Sequence, residues 1–275
     1  MNLTKVNLKP CFLTTKKIQP DYPLFIYLPG MDGTGQLLRS QTAGLEAGFD
    51  VRCLAIPRQD LTSWDELSRN VLDLIYTELG KNSQRSVYLC GESFGGCLAQ
   101  KVAIQAPEIF KRIILINPAS SFRLRSWYTW ASPLMNLLPP WIYDVAAVGL
   151  LPFLVALTQI SNSDREELLK TIRSIPSETI LWRLSLLREF DIDEAKLRRL
   201  RQPILLMGSI EDRLLPSIPE IERLSQIFPN SQTVILPQSG HACLLEQNIN
   251  LFQILQAEDF LEPDVKESQL FANKN

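Results

Sequence analysis

Val87-Tyr88-Leu89-Cys90-Gly91-Glu92-Ser93-Phe94-Gly95-Gly96 runs from an apolar, strand-like stretch straight into a serine bracketed by glycines. Gly91, Ser93 and Gly95 fill the pattern G-x-S-x-G, which marks a sharp turn from strand to helix that lifts one side chain clear of the backbone. The pattern makes Ser93 a candidate nucleophile. A residue held in a strained backbone conformation leaves no room for a Cβ on the neighbours packed against it, which is why glycines flank it.

Outward from this turn the chain alternates strands with helices. Residues 23–28 form a short apolar and aromatic run ended by Pro29-Gly30, and the glycine-rich turn Gly30-Met31-Asp32-Gly33-Thr34-Gly35 follows. The spacing then predicts a helix over 36–47 closed by Gly48, and a strand over 50–56 stopped by Pro57. Leu67, Val71, Leu72, Ile75 and Leu79 recur at helical spacing, so 64–79 reads as a helix capped by Thr62 or Ser63 and stopped by Gly80. Beyond the serine, a helix over 94–105 and a strand over 112–116 continue the alternation. Between 119 and about 200 it breaks off into a Trp-, Pro- and Leu-rich region with helical patterns at 164–175 and 177–188, read as a helical cap. The alternation resumes with a strand over 203–208, a helix over 218–227, a strand over 232–236 and a last helix over 249–258. Strands alternating with helices imply a mostly parallel central sheet with helices on both faces and ligands at the carboxyl ends of the strands. We therefore expect residues 1–275 to form a single α/β domain with the cap, 119–200, inserted within it.

Composition narrows the function. A chain of 275 residues with 45% hydrophobic content can bury a sizeable core, and a net charge of −2 offers no basic field for a polyanion, so a nucleic-acid partner is not expected. Cys11, Cys53, Cys90, Cys97 and Cys243 are odd in number and lack C-x-x-C spacing, which fits reduced core thiols in a cytoplasmic protein better than a disulfide framework. The first twenty residues have no apolar segment of the secretory type, and the longest apolar stretch, 141–160, is interrupted by Asp144, Gly149 and Pro152, so no transmembrane helix is expected. One histidine and scattered cysteines do not make the usual zinc set, and neither a metal nor a cofactor is expected.

A serine hydroxyl is a weak nucleophile at neutral pH and needs a base beside it, usually a histidine oriented by a carboxylate. The chain has a single histidine, His241, in Gln238-Ser239-Gly240-His241, just after the last predicted strand. The carboxylate should follow the preceding strand, where Gly208-Ser209-Ile210-Glu211-Asp212 supplies two acids; we choose Asp212 over Glu211. An acyl-transfer site must also hold an oxyanion. One donor is expected from the backbone N–H after the nucleophile, Phe94, and the second from the early Pro-Gly loop, at the Met31 amide. Asp32 reads as a turn stabiliser with no chemical role.

With these residues laid out, the chain resembles the α/β-hydrolase superfamily from about Pro23 to Leu261, in which the nucleophile, acid and base follow in the order Ser, Asp, His. More narrowly, it resembles the hydrolase half of the esterase/lipase/thioesterase family that includes plant plastid and cyanobacterial phytyl ester synthases. The resemblance rests on Leu28-Pro29-Gly30-Met31-Asp32-Gly33-Thr34-Gly35, Gly91-Glu92-Ser93-Phe94-Gly95-Gly96-Cys97-Leu98-Ala99, Asn117-Pro118-Ala119, Asp212-Arg213-Leu214-Leu215-Pro216-Ser217 and Ser239-Gly240-His241. It implies acyl-ester chemistry on lipids. Many members carry a second, acyltransferase-like domain with a His-x4-Asp motif; here the segment beginning at His241 reaches Glu246 instead.

The expectation is a serine hydrolase that cleaves apolar carboxylic acyl esters or thioesters through an acyl-enzyme at Ser93. The alternatives are an acyltransferase forming phytyl or other lipid esters, a C–C bond lyase or synthase on the same scaffold, and a non-catalytic lipid-binding protein. The cap run Trp127, Trp130, Leu134, Met135, Trp141, Leu151, Phe153 and Leu154 either packs against the core or lines an acyl tunnel with transient contact to a membrane surface, near Arg123 and Arg125.

Overall fold

A computed structural model of the protein describes residues 9–15, 17–80, 84–122, 151–263 and 265. Seven strands make one sheet: β1 (Cys11–Thr14), β2 (Leu24–Leu28), β3 (Asp50–Ala55), β4 (Val87–Glu92), β5 (Phe110–Ile116), β6 (Ile204–Ser209) and β7 (Ser231–Leu236). Their order across the sheet is β1-β3-β2-β4-β5-β6-β7, with β1 antiparallel to β3 and every other pair parallel. The expected mostly parallel sheet is what forms.

The helices are α1 (Arg39–Leu45), α2 (Trp64–Leu79), α3 (Phe94–Gln105), α4 (Asn162–Arg173), α5 (Ser177–Arg188), α6 (Glu194–Leu197), α7 (Ser217–Ser225) and α8 (Leu251–Ala257). Alternate residues of the central strands face opposite layers, because successive Cβ atoms of a strand point to opposite sides. Leu24, Ile26 and Leu28 of β2 pack with Leu67, Val71 and Ile75 of α2 and with Leu98 and Val102 of α3. Phe25 and Tyr27 pack on the other face with Leu45 of α1 and with Leu251 and Leu255 of α8. Every residue of β2, β4 and β6 is buried, whereas the edge strands β1 and β7 are only partly so.

Ser63, one of the two expected caps of α2, accepts the Glu66 N–H at 3.3 Å. The predicted helix over 36–47 is shorter in fact, since residues 36–38 still belong to the turn that leaves the Gly-rich loop. Two elements escape the sequence pattern. β1 is a four-residue edge strand with no alternation of polarity, and α6 is a single turn capped by Asp193, whose carboxylate accepts the Ala195 N–H at 2.9 Å. Of the region expected to form a cap, the described part between β5 and β6 is helical, in α4, α5 and α6, together with a short helical turn over 151–154. Trp127, Trp130, Leu134, Met135, Trp141, Arg123 and Arg125 lie outside the described residues. No helix among the described residues is long and apolar enough to cross a membrane.

The sheet brings β4 and β5 side by side, and the chain leaves β4 into α3 through Ser93, at φ 55° and ψ −114°. A non-glycine residue rarely adopts that region, and its persistence requires that the surroundings over-determine it. They do: the Ser93 N–H donates to the Ile116 carbonyl at 2.9 Å, and the Ser93 carbonyl accepts from Gly96 at 2.9 Å and Ala119 at 3.1 Å. Gly95 then passes directly under β2, where a Cβ would overlap the Leu28 carbonyl oxygen, and a Cβ on Gly91 would in turn overlap the Gly95 carbonyl. Because these obstacles are backbone, no side-chain rotation relieves them. Gly95→Ala should therefore destabilise the fold by about 1–3 kcal/mol or more, as overpacking does, read as a lower denaturant midpoint; an unchanged midpoint would mean that β2 and α3 separate freely.

Candidate active site

Three loops at the carboxyl ends of β4, β6 and β7 bring Ser93, Asp212 and His241 together, as their chain order led us to expect. The Ser93 hydroxyl donates to His241 Nε2 at 2.8 Å, and His241 Nδ1–H donates to Asp212 Oδ2 at 2.7 Å. An ionised carboxylate only accepts hydrogen bonds, so Asp212 fixes the imidazole tautomer with its lone pair towards the serine. Asp212 wins over Glu211 for a local reason. The turn after β6 directs its side chain inward, where Oδ1 accepts the Leu214 and Leu215 N–H groups at 2.9 and 2.8 Å and Oδ2 also accepts the Ser217 hydroxyl, while Glu211 is exposed.

The electrostatics follow from burial and partners. Burial pushes the Asp212 carboxyl up, but His241, Ser217 and the Leu215 amide more than offset this and hold it below the usual carboxylate range. Burial likewise pulls the His241 imidazolium down, yet the Asp212 carboxylate, with Glu92 assisting, leaves its pKa above the ordinary 6.5. Glu92, next to the serine, is buried and pushed up to about 7, chiefly by desolvation and against the hydrogen bond it accepts from Tyr27 and the pull of His241. Its Oε1 has no hydrogen-bond partner among the described residues. The x of G-x-S-x-G had signalled nothing about this carboxyl group.

The two residues expected to supply oxyanion donors adjoin Ser93 in space or in sequence. Gly30 abuts the serine, since a Cβ built on it would lie 3.8 Å from Ser93 Cβ, and Met31 follows at once. Neither the Met31 nor the Phe94 amide donates to a backbone carbonyl among the described residues. The Phe94 side chain turns the other way and stacks on Trp64, with ring centroids 4.5 Å apart. Asp32, read as a turn stabiliser, accepts the Thr34 N–H at 2.8 Å and the Thr34 hydroxyl at 2.5 Å.

His241 is held from two sides that the sequence did not announce. Asn117, buried at the end of β5 with φ 43°, donates through Nδ2 to the His241 carbonyl at 2.7 Å and to Ser209 Oγ at 2.9 Å, and its Oδ1 accepts the Ser209 N–H at 2.8 Å. Asparagine tolerates the left-handed region better than most residues, and the motif Asn117-Pro118-Ala119 was the only signal of its importance. Glu246, at the position where a His-x4-Asp motif would have aspartate, instead accepts the Gly240 and Ala156 N–H groups, each at 2.9 Å. Ala242 N–H donates to the Leu154 carbonyl at 2.7 Å, so the segment after residue 150 lies across the histidine loop. The site is correspondingly closed: Ser93 is 8% and His241 4% exposed.

Comparison with known proteins agrees with this architecture. Residues 56–248 match the family model described as serine aminopeptidase, S33. Phytyl ester synthase 1 of the chloroplast of Arabidopsis thaliana is 32% identical over 259 residues, which cover 86% of this chain but only 37% of that relative. A pimeloyl-[acyl-carrier protein] methyl ester esterase of Nitrosomonas europaea is 28% identical over 182 residues, 61% of this chain and 70% of that one. Among solved structures, MenH from S. aureus superposes with a TM-score of 0.72 at 15% identity, covering 95% of this chain and 99% of its own, and so shares the fold. With a serine of positive φ between strand and helix, a mostly parallel sheet and a family match over 56–248, the chain belongs to the serine aminopeptidase S33 family of α/β-hydrolases.

Proposed function

We propose that the protein is a serine hydrolase that cleaves apolar carboxylic acyl esters or thioesters through an acyl-enzyme at Ser93. The observation that carries this reading is the continuous hydrogen-bond chain from the Ser93 hydroxyl through His241 to Asp212. In the proposed cycle His241 Nε2 takes the serine proton as Oγ attacks the carbonyl carbon, and the Met31 and Phe94 amides receive the negative charge that develops on oxygen. The imidazolium then returns the proton to the departing alcohol or thiol. Water, deprotonated by the same nitrogen, releases the carboxylic acid and restores the serine.

Acyl transfer is a second reading with its own support. The similarity to a phytyl ester synthase extends over 86% of the chain, and a serine and histidine so little exposed favour an alcohol acceptor over bulk water. A C–C bond lyase has no comparable support. A lipid-binding protein without turnover would leave the serine–histidine hydrogen bond without purpose, and an unreactive Ser93 towards a fluorophosphonate probe would favour it. An apolar acyl partner, brief contact with membranes through the cap, and a cytoplasmic location belong to the same proposal; buried thiols at Cys53, Cys90, Cys97 and Cys243 suit a reducing compartment.

Ser93→Ala should lower kcat for p-nitrophenyl acyl esters by about 10⁶-fold, the scale of nucleophile loss in a triad enzyme; hydrolysis at the wild-type rate would sink the assignment. Supplying phytol or another long-chain alcohol to the wild type and assaying ester product separates transfer from hydrolysis.

The pH profile gives an independent check. The base acts only when neutral, so activity should fall as pH drops through the raised pKa of His241, placing the acid limb above that of an ordinary imidazole. The Glu92 carboxylate stabilises the imidazolium, and Glu92→Gln should therefore move that limb to lower pH. A limb that stays in place would mean that the two groups do not communicate.

A further inference from the structure

Helix α5 is fastened to the loops beside the site by side chains that reach backbone carbonyls. Thr179 Oγ1 donates to the Arg58 carbonyl at 2.7 Å, and Trp182 Nε1 to the Thr62 carbonyl at 3.0 Å. Arg183 reaches deeper. Its Nη1 donates to the Met31 carbonyl at 2.7 Å and its Nη2 to the Pro57 carbonyl at 3.3 Å, with the residue only 2% exposed. A cation that deeply buried requires partners, and the two carbonyls are joined by the nearby Asp32 carboxylate, which counters the downward pull of burial on the guanidinium pKa.

The loop is shaped around this group. Gly33 has φ +67°, and a Cβ there would come within 2.6 Å of Arg183 Nη1 and 2.9 Å of Nη2, so the guanidinium lies flat against a bare backbone. The Gly33 N–H closes a turn on the Gly30 carbonyl at 3.0 Å, and the Gly33 carbonyl accepts the Ile56 N–H at 2.7 Å. Met31 lies within the turn from Gly30 to Gly33, and its carbonyl is held by Arg183. The Met31 N–H lies in one planar peptide with the Gly30 carbonyl and points away from it, while the Met31 carbonyl belongs to the next peptide. The Gly30–Gly33 turn fixes the first plane and Arg183 the second, so the two together hold the Met31 Cα and the direction of its amide.

We propose that Arg183 is a positioning residue for the oxyanion loop: from the inserted helix α5 it holds the Met31 carbonyl and thereby directs the Met31 amide towards the carbonyl oxygen of the substrate. The inference rests on the acyl-serine reading above. It differs from a merely structural role, in which the arginine anchors α5 as Thr179 and Trp182 do. Arginine suits the task because its planar fork spans two carbonyls at once, which a lysine ammonium on a single bond does not.

The test compares Arg183→Gln, Arg183→Lys and Trp182→Phe in the full chain, using p-nitrophenyl ester hydrolysis and inhibition by a trifluoromethyl ketone of matching acyl length, whose tetrahedral adduct places an oxyanion in the hole. Arg183→Gln should lower kcat on the order of 10²-fold, the scale of a misplaced catalytic group, with KM little changed and the ketone weakened in parallel. Arg183→Lys should recover part of the loss. Trp182→Phe, which removes a bond from the same helix, should lower the thermal midpoint and leave kcat as it is. An unchanged kcat in Arg183→Gln, a loss confined to KM, or an equal loss in Trp182→Phe would overturn the proposal. Should Arg183→Gln fail to fold, Arg183→Lys decides: a fall in kcat and ketone affinity at constant KM supports the role, and full activity overturns it. Ser93→Ala separates the two layers, since full activity there ends the acyl-serine reading, whereas an inactive Ser93→Ala beside fully active Arg183 variants ends only this inference.

Discussion

The backbone of Ser93 is the constraint on which the rest depends. A left-handed serine between strand and helix is costly by itself, on the order of 1–3 kcal/mol, and it survives here because its neighbours allow nothing else. β5 takes its N–H, the loop after β5 takes its carbonyl, and Gly95 slides beneath the carbonyl of Leu28 with no space for a side chain. The same close approach of α3 to β2 puts Gly30 against the serine, so the turn that aims the hydroxyl at His241 also sets the distance to the loop carrying Met31. The serine turn and the placing of the Gly30-Met31 loop are thus two outcomes of one packing contact.

Around that contact, charge is distributed unevenly. Asp212 is surrounded by donors and stays ionised, while Glu92, as deeply buried, has Tyr27 as its hydrogen-bond partner and is pushed up to about 7. Two buried carboxyl groups that act on one imidazole are therefore shifted in opposite directions from the ordinary carboxylate range. The division of labour is set by how many donors each oxygen receives rather than by residue type.

Much of this was legible in the chain because it is local. The helix over 64–79 shows its apolar spacing and its serine cap, and the G-x-S-x-G turn shows its glycines; each feature is written within a few residues. Chain order was enough to pair Ser93 with Asp212 and His241, since parallel strands end on the same edge of the sheet. Arg183 was illegible for the converse reason. An arginine in a helix ordinarily faces solvent, and nothing within its own segment indicates a partner 152 residues away. Asn117 could be seen as part of a motif, but its bonds to Ser209 and His241 span 92 and 124 residues. Edge strand β1 lacked any alternation to read, and Glu92 showed its environment only once Tyr27 of the neighbouring strand was beside it.

Asn117 has a consequence for the way the molecule breathes. Loops that carry functional groups commonly open at far lower free energy than the core beneath them. Here one buried amide side chain, itself bonded to Ser209 at the end of β6, ties the histidine loop to the ends of β5 and β6, so the loop cannot lift away without depriving a buried N–H of an acceptor. The His241 loop is thereby coupled to the ends of the central strands, and opening it costs at least the Asn117 bond as well as its own contacts.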